Sequence, residues 1–266
     1  MLLPSVPPRR RALLLLVAAV ALTAVCAGLF AAVRSGRAAG PVDQGTPGPV
    51  VLVPGYGGGT ASLSTLERRL RADGRQVHVL VLPEEGTGDL RGAARALDQL
   101  VGDLEDAGAP SVDVVGYSAG GVTARLWARL HDGASRARRI VTLGSPHHGT
   151  DVAAAVGEAT GGCDVACTQL QPGSSLLAQL NRGDETPDGP VWVSVWTDAD
   201  ETVVPPSSGR LRGGVDVRLQ DLCPGSRAGH GDLPRNPAVM GLVTAALTGP
   251  SVPAPARGDC ERYAPG

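Results

Sequence analysis

The 266-residue sequence predicts an α/β domain: a doubly wound, mostly parallel sheet of about six core strands carrying a small helical cap insertion. Three observations predict it. Short apolar runs alternate with amphipathic stretches of helical period between residues 50 and 248. The run at 112–115, valine apart from Asp113, passes within a few residues into a helix from Ala119 through Trp127 to Leu130, as in a right-handed parallel crossover. One stretch, 151–188, carries no convincing strand and breaks the alternation, which sets it apart as the cap.

The 24 basic residues, all arginine, and the 26 acidic residues leave a net charge of -2. That balance gives no basic surface for nucleic acid, which is excluded as a partner. Aromatic residues make up 3% of the chain, too few for a base-stacking platform or an aromatic sugar cleft. The bias towards Ala, Gly, Pro, Arg and Val fits a GC-rich bacterial genome. The length suits one good-sized domain, and a monomer is expected.

Arg9, Arg10 and Arg11 precede an uncharged run at 12–33, and Arg34 and Arg37 follow it. A basic flank ahead of an apolar stretch marks residues 1–37 as a secretory signal peptide or an N-terminal membrane anchor. The run is near the ~20 residues that span a bilayer, while Ala27 and Ala39 offer cleavage sites, so both readings stand. In either, the positive flank stays cytoplasmic and the bulk of the chain is exported, to the cell surface or the extracellular space. Cys26, behind Val25, is a poor match to a lipoprotein cleavage box and reads as an apolar passenger.

Residues 38–49 are rich in Gly and Pro and read as a linker to the domain at 50–248. Val50–Val53 is the first strand, ending in Pro54-Gly55-Tyr56-Gly57-Gly58-Gly59. A helix at 62–73 places Leu63, Leu66 and Leu70 on one face. A second strand covers 77–82, and Asp89 caps a helix that runs to about residue 107. After the third strand at 112–115, the fourth covers 139–143, the fifth Val191–Trp196 and the sixth 215–219. The last helix spans 237–247, and residues 249–266 form a tail rich in Pro and Gly. The insertion at 151–188 falls between the fourth and fifth strands, over the carboxyl edge where ligands bind in such sheets.

Chemistry centres on Gly116-Tyr117-Ser118-Ala119-Gly120, a G-x-S-x-G pentapeptide between strand and helix. The turn forces a strained serine backbone, and Gly116 and Gly120 let strand and helix approach without a Cβ clash. Ser118 is thereby the candidate nucleophile, raised at a helix N-terminus that favours a developing anion. A serine hydroxyl needs a base, and the base needs an orienting carboxylate. His78 within a strand and His131 at a helix end read as structural or solvent-facing. His230, in a flexible loop after the last strand, can overhang the carboxyl edge and is the candidate base. The acid belongs on the loop after the fifth strand. Asp200 is preferred because Val203-Val204-Pro205 would pin it by apolar packing, with Asp198 and then Glu201 as alternatives. The order Ser118, Asp200, His230 is that of the α/β-hydrolases. Oxyanion donors, each worth on the order of 3 kcal/mol, are expected from the backbone N–H groups of Ala119 and Tyr56. A phosphate-binding turn at 54–59 is excluded, because neither phosphate-loop frame fits.

The segments VVLVPGYGG, DVVGYSAGG, TLGSPHHGT, DADETVVP and AGHGDLP resemble those of small secreted bacterial lipases and esterases of the α/β-hydrolase fold. The resemblance runs in order across 50–247. Such lipases commonly begin the first motif with His-Gly, where this chain has Pro54-Gly55; a backbone role for Tyr56 survives that change. The resemblance implies hydrolysis of carboxylic esters, lipid-like ones such as acylglycerols included, without a cofactor. It also implies that His147 and His148 support the floor of the site. Two adjacent histidines are weak grounds for a metal, and none is expected.

Cys163, Cys167, Cys223 and Cys260 make an even number in an exported domain, which predicts two disulfides. Of three pairings, Cys163–Cys167 closing a turn in the cap and Cys223–Cys260 clamping the tail are favoured. A zinc site is the alternative, but the spacing fits no standard pattern. The expected function is an exported serine ester hydrolase acting through an acyl-enzyme, with an ester or lipid as its substrate and the membrane as a contact through the N-terminal segment. An acyltransferase, a peptidase or a thioesterase would use the same nucleophile, and a membrane-tethered binding protein would use none of it.

Overall fold

Valine runs dominate the strands because both faces of the sheet are covered. The computed structural model describes residues 42–249, 251, 252 and 254–264, with Leu15, Ala19 and Thr23 ahead of them. Those three apart, the signal or anchor expected over 1–37 lies outside the described residues, as does Cys26. Among the described residues no helix is long and apolar enough to cross a membrane.

Among the described residues, six strands form one sheet: β1 (Val50–Val53), β2 (Val77–Val79), β3 (Val112–Tyr117), β4 (Ala137–Leu143), β5 (Val191–Trp196) and β6 (Val215–Arg218). Their order is β2-β1-β3-β4-β5-β6 and every pairing is parallel. Among the described residues from 42 onward the α-helices are α1 (Ser64–Ala72), α2 (Leu90–Asp106), α3 (Ala119–Leu130), α4 (Asp151–Thr160), α5 (Val165–Gln169), α6 (Ser175–Leu180), α7 (Leu219–Leu222), α8 (Pro237–Thr248) and α9 (Cys260–Tyr263). Strand side chains alternate between two cores. Val51, Val53, Val114 and Ile140 pack with Leu97 and Val101 of α2 and Trp127 of α3. Val50, Leu52, Val115 and Val141 pack with Leu66 and Leu70 of α1 and Val239 and Leu242 of α8. Each such buried side chain contributes about 1.5–3 kcal/mol.

Several boundaries differ from expectation. β2 stops at Val79 rather than residue 82, because Pro83 opens a 3₁₀ turn, Pro83–Gly86, at an edge that is paired on one side only. β6 stops at Arg218, and Leu219 begins the single turn α7. A 3₁₀ turn, Thr60–Leu63, leads into α1. Residues 42–49, expected as a linker, are tied to the sheet. Pro49 accepts from the Asp113 N–H at 2.9 Å, and Gln44 accepts from Arg138 at 3.3 Å.

That tie belongs to a charged cluster at the amino edge of the sheet. Asp113 is fully buried and accepts from both Nε and Nη2 of Arg138 at 3.0 and 2.5 Å, and from Arg75 at 2.6 Å. Both arginines also donate to the Leu247 carbonyl near the end of α8. Two fixed guanidinium forks saturate a carboxylate that water cannot reach, which a lysine could not do in this geometry.

Among the described residues of 151–188 there are three helices and no strand. The far end of this insertion is fastened to α3. Arg125 and Arg129, one turn apart, donate to the Leu180 carbonyl at the C-terminus of α6, at 3.5 and 2.5 Å. Cationic groups at a helix C-terminus satisfy its unpaired carbonyls and its dipole.

Candidate active site

Ser118 stands at the carboxyl edge of β3 with φ 54° and ψ -127°, outside the regions ordinary residues occupy. Neighbouring chain leaves no room for side chains here. A Cβ at Gly116 would fall 2.6 Å from the backbone of Gly120 and Gly121, and one at Gly120 would fall 2.2 Å from the Val53 carbonyl. The Ser118 N–H donates to Leu143 of β4 at 2.8 Å, and its carbonyl accepts from Gly121 at 3.0 Å. Strand, serine and helix are therefore held as one rigid corner.

The imidazole of His230 is nearly buried, and its Nδ1 lies 2.9 Å from Oδ2 of Asp200. The other carboxylate oxygen of Asp200 accepts from the N–H groups of Thr202 and Val203 at 2.9 and 2.7 Å. These backbone donors, rather than the apolar packing expected from Val203-Val204-Pro205, fix the carboxylate. With Nδ1–H donated to Asp200, Nε2 keeps a lone pair and can accept a proton. Asp198, itself exposed, instead pairs with half-buried Arg218 at 3.3 Å. Glu201 accepts from the His230 backbone N–H at 3.1 Å. The three carboxylates of this loop thus have three different tasks, and only Asp200 reaches the ring. His230 itself sits in a 3₁₀ turn, His230–Arg235, not in the flexible loop expected.

Beside Ser118 lies a cavity of about 140 Å³ lined by Tyr56, Pro146, Val152, Ala153, Val156, Leu170 and Val203. Its walls come from the β1 loop, the insertion and the Asp200 loop, and they are mostly apolar. The β1 loop passes close above the serine, since a Cβ at Gly55 would fall 2.8 Å from the Ser118 Cβ. Thr150 caps α4 and also donates to the Thr202 carbonyl at 2.6 Å, which joins the insertion to the Asp200 loop.

No family model and no curated protein matches the chain. Solved structures do. Aspergillus fumigatus lipase B superposes with TM-score 0.66 at 19% identity, over 81% of this chain and 55% of the lipase. The mature form of Bacillus licheniformis lipase BlEst2 gives 0.64 at 16% identity, over 79% of this chain and 96% of the lipase. An α/β-hydrolase from lagoon sediment, MGS-MChE2, gives 0.50 at 17% identity, over 72% and 86%. The chain has the α/β-hydrolase fold.

Within the α/β-hydrolase fold, Ser118, Asp200 and His230 follow β3, β5 and β6, at the carboxyl edge of the parallel sheet. This chain spans just over half the length of the Aspergillus lipase. The adjacent histidines, expected beneath the site, do not line its cavity. His147 is completely buried against Thr142 at 3.1 Å, and burial pulls its pKa well below the ordinary value. His148 turns outward to Glu185 at 3.2 Å. Among the described residues no group of three or more His, Cys, Asp or Glu side chains is placed to hold a metal ion. Both favoured disulfides, Cys163–Cys167 and Cys223–Cys260, are formed.

Two residues near the pair escaped sequence reasoning. Gly144 has φ 54°, and a Cβ there would fall 3.1 Å from His230 Nδ1 and 3.3 Å from Asp200 Oδ2. It forms the floor beneath the hydrogen bond, and its place after the fourth strand was the available signal. Tyr117 packs its ring 5.1 Å from that of His230 and donates to the His230 carbonyl at 3.4 Å. Burial, with Asp200 and Glu201 nearby, pushes its phenol up to about 12.

Proposed function

We propose that this chain is an exported serine hydrolase that cleaves carboxylic esters of lipid-like character through an acyl-enzyme. The observation that carries the reading is the 2.9 Å bond between His230 Nδ1 and Asp200 Oδ2 on the same sheet edge as the strained Ser118. In this reaction the Ser118 hydroxyl attacks the ester carbonyl while Nε2 of His230 takes its proton. Asp200 holds the tautomer and stabilises the imidazolium. The backbone N–H groups of Ala119 and Tyr56 receive the oxyanion. His230 then returns the proton to the leaving alkoxide, and water repeats the sequence to release the acid. The apolar cavity takes the acyl chain, and no cofactor takes part. The two disulfides support export, since such bonds persist in oxidising compartments. The N-terminal segment serves as signal peptide or membrane anchor.

The test is p-nitrophenyl ester hydrolysis across acyl lengths by the chain from residue 40 onward, beside Ser118→Ala. Activity confined to the parent, with fluorophosphonate labelling at Ser118, is expected. Equal inertness of both proteins, with no labelling, would overturn the enzyme reading in favour of a binding protein.

A further inference from the structure

The loop expected to supply the second oxyanion donor is almost without side chains. From Gly55 to Gly59 it reads Gly-Tyr-Gly-Gly-Gly, and one backbone hydrogen bond, Gly58 to Gly55 at 3.1 Å, closes its turn. Glycine backbones sample wide ranges of φ and ψ, so something must hold this loop for a donor to stay aimed. The sole side chain available is that of Tyr56. Its ring is half exposed at the cavity mouth, and its hydroxyl donates to Oδ2 of Asp164.

Asp164 is well anchored itself. Its other oxygen caps α5 by accepting from the Cys167 N–H at 2.9 Å, and it lies inside the ring closed by the Cys163–Cys167 disulfide. The Ala166 N–H donates to the Thr87 carbonyl at 3.0 Å, and Gln169 bonds the Asp89 carboxylate and the Leu90 N–H at 2.8 and 2.9 Å. The short helix carrying Asp164 is thus fixed to the body of the domain at the start of α2. The bond from Tyr56 raises its phenol pKa, chiefly through Asp164, so the hydroxyl stays protonated and remains a donor.

We infer that Asp164 is a positioning residue that acts through Tyr56, holding the oxyanion loop in place from the insertion. The inference rests on the ester hydrolase reading and deepens it: the cap sets the geometry of the transition-state donor as well as walling the acyl cavity. Displacing a donor without deleting it affects the transition state more than substrate binding.

Tyr56→Phe keeps the ring and the backbone and removes only the hydroxyl. Asp164→Ala removes the acceptor, while Asp164→Asn keeps one oxygen to accept from the Cys167 N–H and turns its amide N–H to the Tyr56 hydroxyl, which can accept it, so the link is kept. With p-nitrophenyl butyrate, Tyr56→Phe and Asp164→Ala are each expected to lower kcat about tenfold with KM within about twofold. The double variant should be no slower than either single one, and Asp164→Asn should recover most of kcat. Melting temperatures identify a variant that has merely lost its fold, and Tyr56→Phe leaves the α5 cap intact. Wild-type kcat in Tyr56→Phe, additive losses, or an effect on KM alone would overturn the role of Asp164. A wild type neither active nor labelled by fluorophosphonate would overturn the hydrolase reading itself, and this positioning role with it.

Discussion

The ring of Tyr117 lies 5.1 Å from the imidazole of His230, tilted by 35°, so the residue before the strained serine packs against the residue that bonds Asp200. Two limbs of the site that are more than a hundred residues apart in sequence are joined by this ring contact and by the hydrogen bond from the Tyr117 hydroxyl to the His230 carbonyl. The contact is buried, and that burial pushes its phenol up to about 12 from the ordinary value near 10.

A pH dependence follows from that shift. Below pH 10 the phenol is neutral in folded and unfolded chains alike, and the stabilising contribution is complete. Between about 10 and 12 the unfolded chain releases the proton while the folded one retains it, so stability falls as pH rises. Urea midpoints of the wild type should drop faster than those of Tyr117→Phe over this range. Parallel curves would show that Tyr117 does not titrate as its surroundings require.

Asp200 and Asp198 lie two residues apart on one loop, yet they differ in what they touch. Asp200→Asn removes the acceptor that orients the imidazole, and kcat/KM for p-nitrophenyl esters should fall on the order of 10³–10⁴-fold. Asp198→Asn, which loses an exposed contact to Arg218, should stay within about twofold of wild type. Comparable losses in the two variants would mean that the wrong carboxylate has been assigned.

At the amino edge, Asp113→Ala leaves two arginines facing a buried void where their carboxylate stood. Denaturant midpoints should report a loss of about 3–5 kcal/mol. Arg138→Lys should be destabilising too, because one ammonium cannot replace the two parallel bonds of the fork. A stability change under about 1 kcal/mol in Asp113→Ala would refute the network's role.

The two disulfides close loops of very different size, spanning sequence separations of 37 and 4 residues. On the loop-entropy account, replacing Cys223 and Cys260 by Ser should destabilise by about 4 kcal/mol, and replacing Cys163 and Cys167 by about 2 kcal/mol. Equilibrium unfolding of the two double variants decides it, and the reverse ranking would count against that account.

Much of the fold was legible because a parallel sheet buries both faces of each strand, and Val50–Val53 or Val191–Trp196 can hardly be anything else. The corner at Ser118 was legible because Gly116 and Gly120 answer to local sterics. Asp200 bonds the imidazole of His230, but what fixes it there is not the apolar packing that the sequence suggests. Its donors are backbone groups two and three residues on, which leave no mark on residue type. Asp113 read as an interruption of a valine strand because its partners, Arg75 and Arg138, are distant in sequence. The link from Tyr56 to Asp164 spans 108 residues and carries no local pattern. Long-range polar pairs depend on the assembled topology, whereas apolar period and turn chemistry act within a few residues.

The sheet's outermost strands, β2 and β6, have three and four residues. Each presents little unpaired backbone, and Asp216 and Arg218 place charge along the β6 margin. Aggregation by edge-to-edge strand addition needs a long, flat, uncharged margin. If the chain is exported as proposed, beyond the reach of cytoplasmic chaperones, it gains from borders that offer a neighbouring copy so little to pair with.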